Sequence, residues 1–178
     1  MVEAPLELES RRRLYERIAT TPGLHMRDLA RRVEMDVRTA LYHLRQLEKH
    51  GLVTALDEAG FRRYFPRTAN GRGGEIVDVR DKPLLGLLRR RVPLYVALFL
   101  LAREGAAHGE IAAGSGVSPS TLSYHLGRME RAGMLARDGL RYRLADPDRV
   151  ARLLYAHRPT EDLVEAFLDL WEDFTLRA

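Results

Sequence analysis

No cysteine occurs among the 178 residues. That removes disulfide frameworks, thiolate nucleophiles, cysteine-ligated zinc and iron–sulfur clusters. Long apolar runs are missing too. The longest, Val92 to Ala102, has 11 residues and contains Pro93. A membrane span needs roughly 17–25, so this run is read as a buried core helix. The opening residues, Met1 to Ser10, are acidic where a secretory signal is basic and then apolar. Gly71 to Gly74 lacks the lysine and the serine or threonine of a phosphate-cradling loop. No Ser/His/Asp set or pair of acids can be placed together, and His25, His50, His108 and His157 show no ligand spacing. The expectation is a soluble, cytoplasmic protein with no membrane partner, no cofactor, no metal and no catalytic residue.

Lysine is nearly absent: of 29 basic residues only Lys49 and Lys82 are not arginine. Arginine's planar fork suits phosphate and guanine, although a GC-rich coding sequence produces the same bias. The net charge of +4 is unevenly placed. Arg11 to Arg67 holds 13 basic and 7 acidic residues, while Pro93 to Pro147 holds 6 and 5. From Pro159 onward a single arginine faces six acids. A basic front half and an acidic tail point to a polyanionic partner for the front half.

The chain matches itself at an offset of 82 without gaps. Thr39, Tyr42, His43, Leu44, Glu48 and Gly51 recur as Thr121, Tyr124, His125, Leu126, Glu130 and Gly133, and Gly23 and Ala30 recur as Gly105 and Ala112. Further on, Phe61 to Phe65 meets Leu140 to Leu144 at an offset of 79, as if three residues were lost from a turn. Two copies of one unit are therefore expected.

Each copy reads as helix, helix, turn, helix, hairpin. Copy one has a helix over Arg11–Thr20 that stops at Pro22-Gly23, then a second over about Met26–Val33. Asp36 is the N-cap of a third helix that ends at His50-Gly51. Copy two opens at Pro93, and its third helix has Ser118 as N-cap, Pro119 at the first position and Gly133 at its end. Apolar strands starting at Leu52 and Met134 turn at Asp57–Gly60 and Asp138–Gly139 into second strands. Pro83–Arg91 reads as a short linker helix, and Asp148–His157 and Thr160–Leu176 as two closing helices. The expected fold is mainly α with small β wings. Its parts are an acidic tail (1–10), winged helix-turn-helix one (11–67), a linker with a short helix (68–92), winged helix-turn-helix two (93–147) and C-terminal helices (148–178).

At 100° per residue, Ala40, Leu44 and Leu47 lie within about 60° of one another and form a core face. The opposite face carries Arg38, Tyr42, Arg45 and Lys49, with Gln46 at its edge. Cations, a tyrosine and an amide suit phosphates and base edges, though a merely solvated face also looks like this. Copy two places Ser120, Tyr124, Gly127 and Arg131 there, with Arg128 at the edge. His43 and His125 fall on the flank, suited to packing or a phosphate contact. Arg62, Arg63, Arg141 and Arg143 are wing candidates, and strand alternation turns one of each pair outward. In the last segment Leu163, Phe167, Leu170, Trp171 and Phe174 form an apolar stripe that either packs on the second unit or meets its mate in a homodimer, and the homodimer is favoured.

The segments Arg38–Val53 and Val117–Leu135 resemble the third helix and following strand of winged-helix regulators of the ArsR and MarR type. The two-headed layout over roughly 11–147 is similar to archaeal transcriptional regulators with two such domains in one chain. The resemblance implies operator DNA bound by the third helix and wing, usually by a dimer. ArsR-type metal sensing is not implied, because the cysteines are absent and the histidines scattered. The leading function is a DNA-binding transcription regulator with copy one as primary reader of double-stranded DNA. An architectural, nucleoid-associated DNA-coating protein is one alternative. A tandem winged-helix interaction subunit resembling condensin accessory proteins is another, and the Arg38/Arg45/Lys49 stripe counts against it. No small-molecule effector is named by the sequence.

Overall fold

The structure, a computed structural model, describes residues 8–58, 61–67 and 76–157. It is mainly helical with two small antiparallel sheets, and it divides into two units, Met1–Gly86 and Leu87–Ala178. The stripe Leu163, Phe167, Leu170, Trp171 and Phe174 lies outside the described residues.

In the first unit, α1 (Glu9–Thr20), β1 (Leu24–His25), α2 (Met26–Arg32) and α3 (Val37–Lys49) lead into the hairpin β2 (Val53–Glu58) and β3 (Phe61–Pro66). Helix α4 (Lys82–Leu88) follows. Leu14 and Ile18 of α1, Leu29 and Ala30 of α2, and Ala40, Leu44 and Leu47 of α3 meet in one core with Leu52, Val53 and Tyr64. The second unit repeats the order with α5 (Arg91–Leu101), β4 (Ala106–Ala107), α6 (His108–Ser115), α7 (Pro119–Arg131), β5 (Leu135–Asp138), β6 (Arg141–Leu144) and a closing α8 (Pro147–Ala156). The apolar run is indeed a buried helix: α6, α7, β6 and α8 all pack against α5.

Local chemistry explains where the helices start and stop. Asp36 accepts from the N–H groups of Arg38 (2.8 Å) and Thr39 (3.3 Å), and Ser118 accepts from Thr121 N–H (3.2 Å). At the end of α3, Leu52 N–H donates to Leu47 C=O and Gly51 N–H to Glu48 C=O, both at 2.9 Å. Met134 and Gly133 do the same at the end of α7. This closure needs a left-handed residue, and Gly51 (φ 69°) and Gly133 (φ 72°) supply it without the Cβ penalty. The turn between α2 and α3 closes the same way, but its left-handed residue is Glu34 (φ 54°) where copy two has Gly116 (φ 64°).

Each sheet has a third strand that two residues are too few to signal: β1 pairs with β3, and β4 with β6. Strand register also corrects the hairpin alignment. Tyr64 stands opposite Leu24 and Tyr142 opposite Ala106, whose neighbours Gly23 and Gly105 are repeat mates. The hairpins are thus offset by 78 rather than 79, and copy two is four residues shorter. Arg63 and Arg141 become structural equivalents.

Candidate nucleic-acid interface

Helix α3 divides as its periodicity predicts. Ala40, Leu44 and Leu47 are fully buried, while Arg38, Tyr42, Arg45 and Lys49 are exposed and Gln46 is half-buried. Tyr42 keeps 55% of its surface in solvent, and among the described residues no polar group holds its hydroxyl. Among the described residues, the side chains of Arg38, Arg45 and Lys49 enter no ion pair and no hydrogen bond with their own chain. Three unpaired cations at helical spacing are thus available to an external anion. Thr39, exposed on the first turn of α3, extends this face. Its identity with Thr121 in the repeat is the sequence signal that marks it.

The corresponding face of α7 is built differently. Ser120 and Tyr124 are exposed, but Ser120 Oγ bonds Ser118 Oγ at 3.0 Å. Arg131 is exposed, with its Nε–H donating to Gly127 C=O at 3.1 Å. Arg128, expected at the edge, is only 7% exposed, its guanidinium 5.8 Å from the Tyr124 ring centre. An edge position on a helical wheel is settled by what packs beside it, and here the arginine stem is covered. His108 Nε2 lies 2.9 Å from Ser123 Oγ, a polar link between α6 and α7. Copy one has Met26 and Leu41 at those two places.

The hairpin arginines sort sharply. Arg63 is 5% exposed, and its Nη1 donates to the Gly23 carbonyl at 2.7 Å. Arg141 Nη2 does the same to Gly105 C=O at 2.7 Å, with Glu110 a further 3.5 Å neighbour. Both therefore clamp the hairpin to the turn after the first helix, Arg63 from a buried position and Arg141 with about half of its side chain, 56%, still exposed. Removing Arg63 orphans a buried carbonyl. Arg63→Ala is expected to lower stability by about 1–3 kcal/mol, seen as a lower urea midpoint.

Arg62 remains half-exposed and pairs with Glu48 at 2.7 Å, tying the hairpin to α3. In copy two Glu130 takes the same ion pair at 2.7 Å from Arg137, on the other strand of the hairpin. Arg137 carries no local sequence signal, because its partner sits seven residues away across a turn. Arg143 is exposed on β6.

His43 is buried and His125 half-buried, each with its ring 5.3 Å from the neighbouring tyrosine and its buried Nδ1 without a hydrogen-bond partner among the described residues. Both therefore pack rather than reach outward. Burial, reinforced by Arg11, holds the His43 imidazole below its usual 6.5. His125 is lowered by burial and then by Arg90 and Arg128. The unfolded chain then binds protons first as pH falls. Stability is full well above 6.5 and is lost as pH drops through that value towards the lower folded one. The urea midpoint should fall on acidification from pH 7, and His43→Gln should flatten that dependence for the first unit.

Among the described residues no group of three or more His, Asp or Glu side chains could hold a metal. No described helix is long and apolar enough to cross a membrane.

Three helices, a left-handed turn between the second and third, and a hairpin folded back on the third define a winged helix-turn-helix unit, here present twice. The chain is a tandem helix-turn-helix protein. A family model described as an N-terminal HTH domain matches residues 8–72, and one described as a helix-turn-helix domain matches residues 86–138. The chain is 30% identical over 128 residues to an uncharacterized HTH-type transcriptional regulator of Methanocaldococcus jannaschii. That alignment covers 71% of this chain and 30% of the relative, so the chain spans under a third of that protein's length. Among solved structures, the mRNA-binding domain of elongation factor SelB from E. coli, in complex with SECIS RNA, aligns over 78% of this chain and 99% of that one. The sequence identity is 18% and the TM-score 0.31.

Proposed function

We propose that this protein is a DNA-binding transcription regulator in which the first unit is the primary reader. The outer face of α3 enters the major groove of duplex DNA, and the β2–β3 hairpin lies alongside. The observation that carries this reading is the exposed set Arg38, Tyr42, Arg45 and Lys49, whose three cations have no partner among the described residues. Desolvating such charges is unfavourable unless an anion replaces water, and a phosphate or a guanine edge does so with charge-assisted hydrogen bonds. On α7 the matching positions are fewer in charge and partly tied to their own helix. The second unit accordingly contributes weaker contacts, through Tyr124, Arg131 and Arg143. Kinship with an HTH-type transcriptional regulator supports regulation rather than general DNA coating. The protein works in the cytoplasm, at the nucleoid.

The apolar stripe after Pro159 is the basis for a homodimer, so a chain ending at Pro159 should scatter light as a monomer; a truncated chain that stays dimeric excludes the stripe. The functional reading is tested by titrating the protein onto genomic fragments at several salt concentrations, with random-sequence duplex as competitor. A few fragments surviving competition, with affinity falling steeply in salt, is the expected result. Uniform binding to every fragment would favour the architectural role. No binding at low salt would favour the interaction-subunit role.

A further inference from the structure

On α1 Arg13, Glu16, Arg17 and Thr20, spaced three, four and seven residues apart, form a polar face beside the buried stripe of Leu14 and Ile18. With Thr21, and with Arg32 and Val33 at the end of α2, they enclose an open cleft of about 400 Å3. The guanidinium groups of Arg13 and Arg17 enter no ion pair or hydrogen bond among the described residues. Glu16, the one acid of the lining, leans to Arg12 at 3.9 Å.

The second unit shows that the fold does not require this. Eighty-two positions on, Arg13, Arg17, Thr20 and Arg32 are replaced by Tyr95, Phe99, Ala102 and Gly114. Tyr95 and Phe99 are buried, and α8 packs on α5. One locus is thus apolar and covered in one unit, cationic and concave in the other.

We propose that this cleft binds a small phosphate-bearing molecule, with Arg13, Arg17 and Arg32 as its donors. Guanidinium forks match phosphate oxygens two at a time. Its volume suits a small ligand, and Val33 is its one apolar residue, so the ligand is highly charged. The phosphate of a free metabolite and that of a nucleic-acid backbone share this chemistry, and the geometry favours the free one. The lining residues belong to α1, to the end of α2 and to the turn after α1, and none of them lies on the outer face of α3. A duplex on α3 leaves the cleft free, and the assignment stands whether or not α3 reads DNA.

The test is a calorimetric titration of the full chain with inorganic pyrophosphate at constant ionic strength. Saturable binding at one site is expected. Arg13→Ala with Arg17→Ala should weaken it by about tenfold or more, and Arg80→Ala, an exposed arginine outside the lining, should not. Glu16→Gln removes a like charge from the lining and should tighten binding by about two- to fivefold. That gain cannot come from a damaged fold. The same double variant should leave duplex affinity within about twofold, since phosphate contacts act only where the backbone reaches. Non-saturable heats, or pyrophosphate binding untouched by both the double variant and Glu16→Gln, would overturn the assignment. So would a duplex affinity that falls along with pyrophosphate binding in the double variant, which would give the arginines to the DNA backbone instead.

Discussion

Arg45→Ala is expected to weaken binding to the preferred duplex by about 1–3 kcal/mol, roughly 5- to 150-fold, and to flatten the preference for it over random sequence. Arg45 lies mid-helix on the exposed face of α3, a turn beyond Tyr42, with no partner among the described residues. A recognition helix presents such a position to base edges rather than to the strands at the groove margins. Its guanidinium can take guanine O6 and N7 together, and the truncated side chain leaves both acceptors without a donor. Lys49 is at the C-terminal end of α3, where a point charge meets backbone phosphate. Lys49→Ala should therefore weaken all sequences alike and reduce the salt slope by about one. Competition assays on specific and random duplexes at several salt concentrations separate the two patterns. An Arg45→Ala protein that loses affinity equally for both duplexes would place Arg45 on phosphate.

The largest expected stability effect is that of Leu44→Ala. Leu44 is fully buried at the centre of the α3 core face, where α1, α2 and α3 converge with β2 and β3. Truncation removes the apolar transfer energy and leaves a cavity that three helices cannot close, a loss of about 3–4 kcal/mol. That is a large share of the stability of an ordinary small domain. Leu126, its repeat mate, is equally buried, so Leu126→Ala should cost the second unit a similar amount. Urea unfolding should show a lower midpoint with an unchanged slope for each. A loss below about 1 kcal/mol would mean the site collapses freely and the core is looser than its burial implies.

What could be read from the sequence was what depends on a few neighbouring residues. Asp36, Ser118, Gly51 and Gly133 announce helix ends because capping and left-handed closure are local chemistry. The buried and exposed faces of α3 follow from a 3.6-residue period. Arg63 was not legible in this way. The side of a strand an arginine takes is fixed by register, and register here depends on hairpin length, which differs by four residues between the copies. With β3 covered on both faces from Arg63 onward, alternation no longer sorts its side chains. β1 and β4 gave no signal because two residues have no period. Arg128 sits where a helical wheel cannot decide, and packing beside Tyr124 decided it. The cleft on α1 was hidden for another reason. Arg13, Arg17 and Arg32 lie on two helices, and only folding brings them to one concavity.

The central claim is that α3 of the first unit, and not α7 of the second, is the primary reader. One duplex, at one salt concentration, should be titrated with two triple variants. Arg38→Ala/Arg45→Ala/Lys49→Ala removes the exposed cations of α3, and Ser120→Ala/Tyr124→Ala/Arg131→Ala trims the matching face of α7. All six side chains are exposed, so neither set touches the core. The first variant should lose about two orders of magnitude or more in affinity, and the second less than about tenfold. Equal losses, or a larger loss from the α7 set, would contradict the account and make the second unit a reader in its own right.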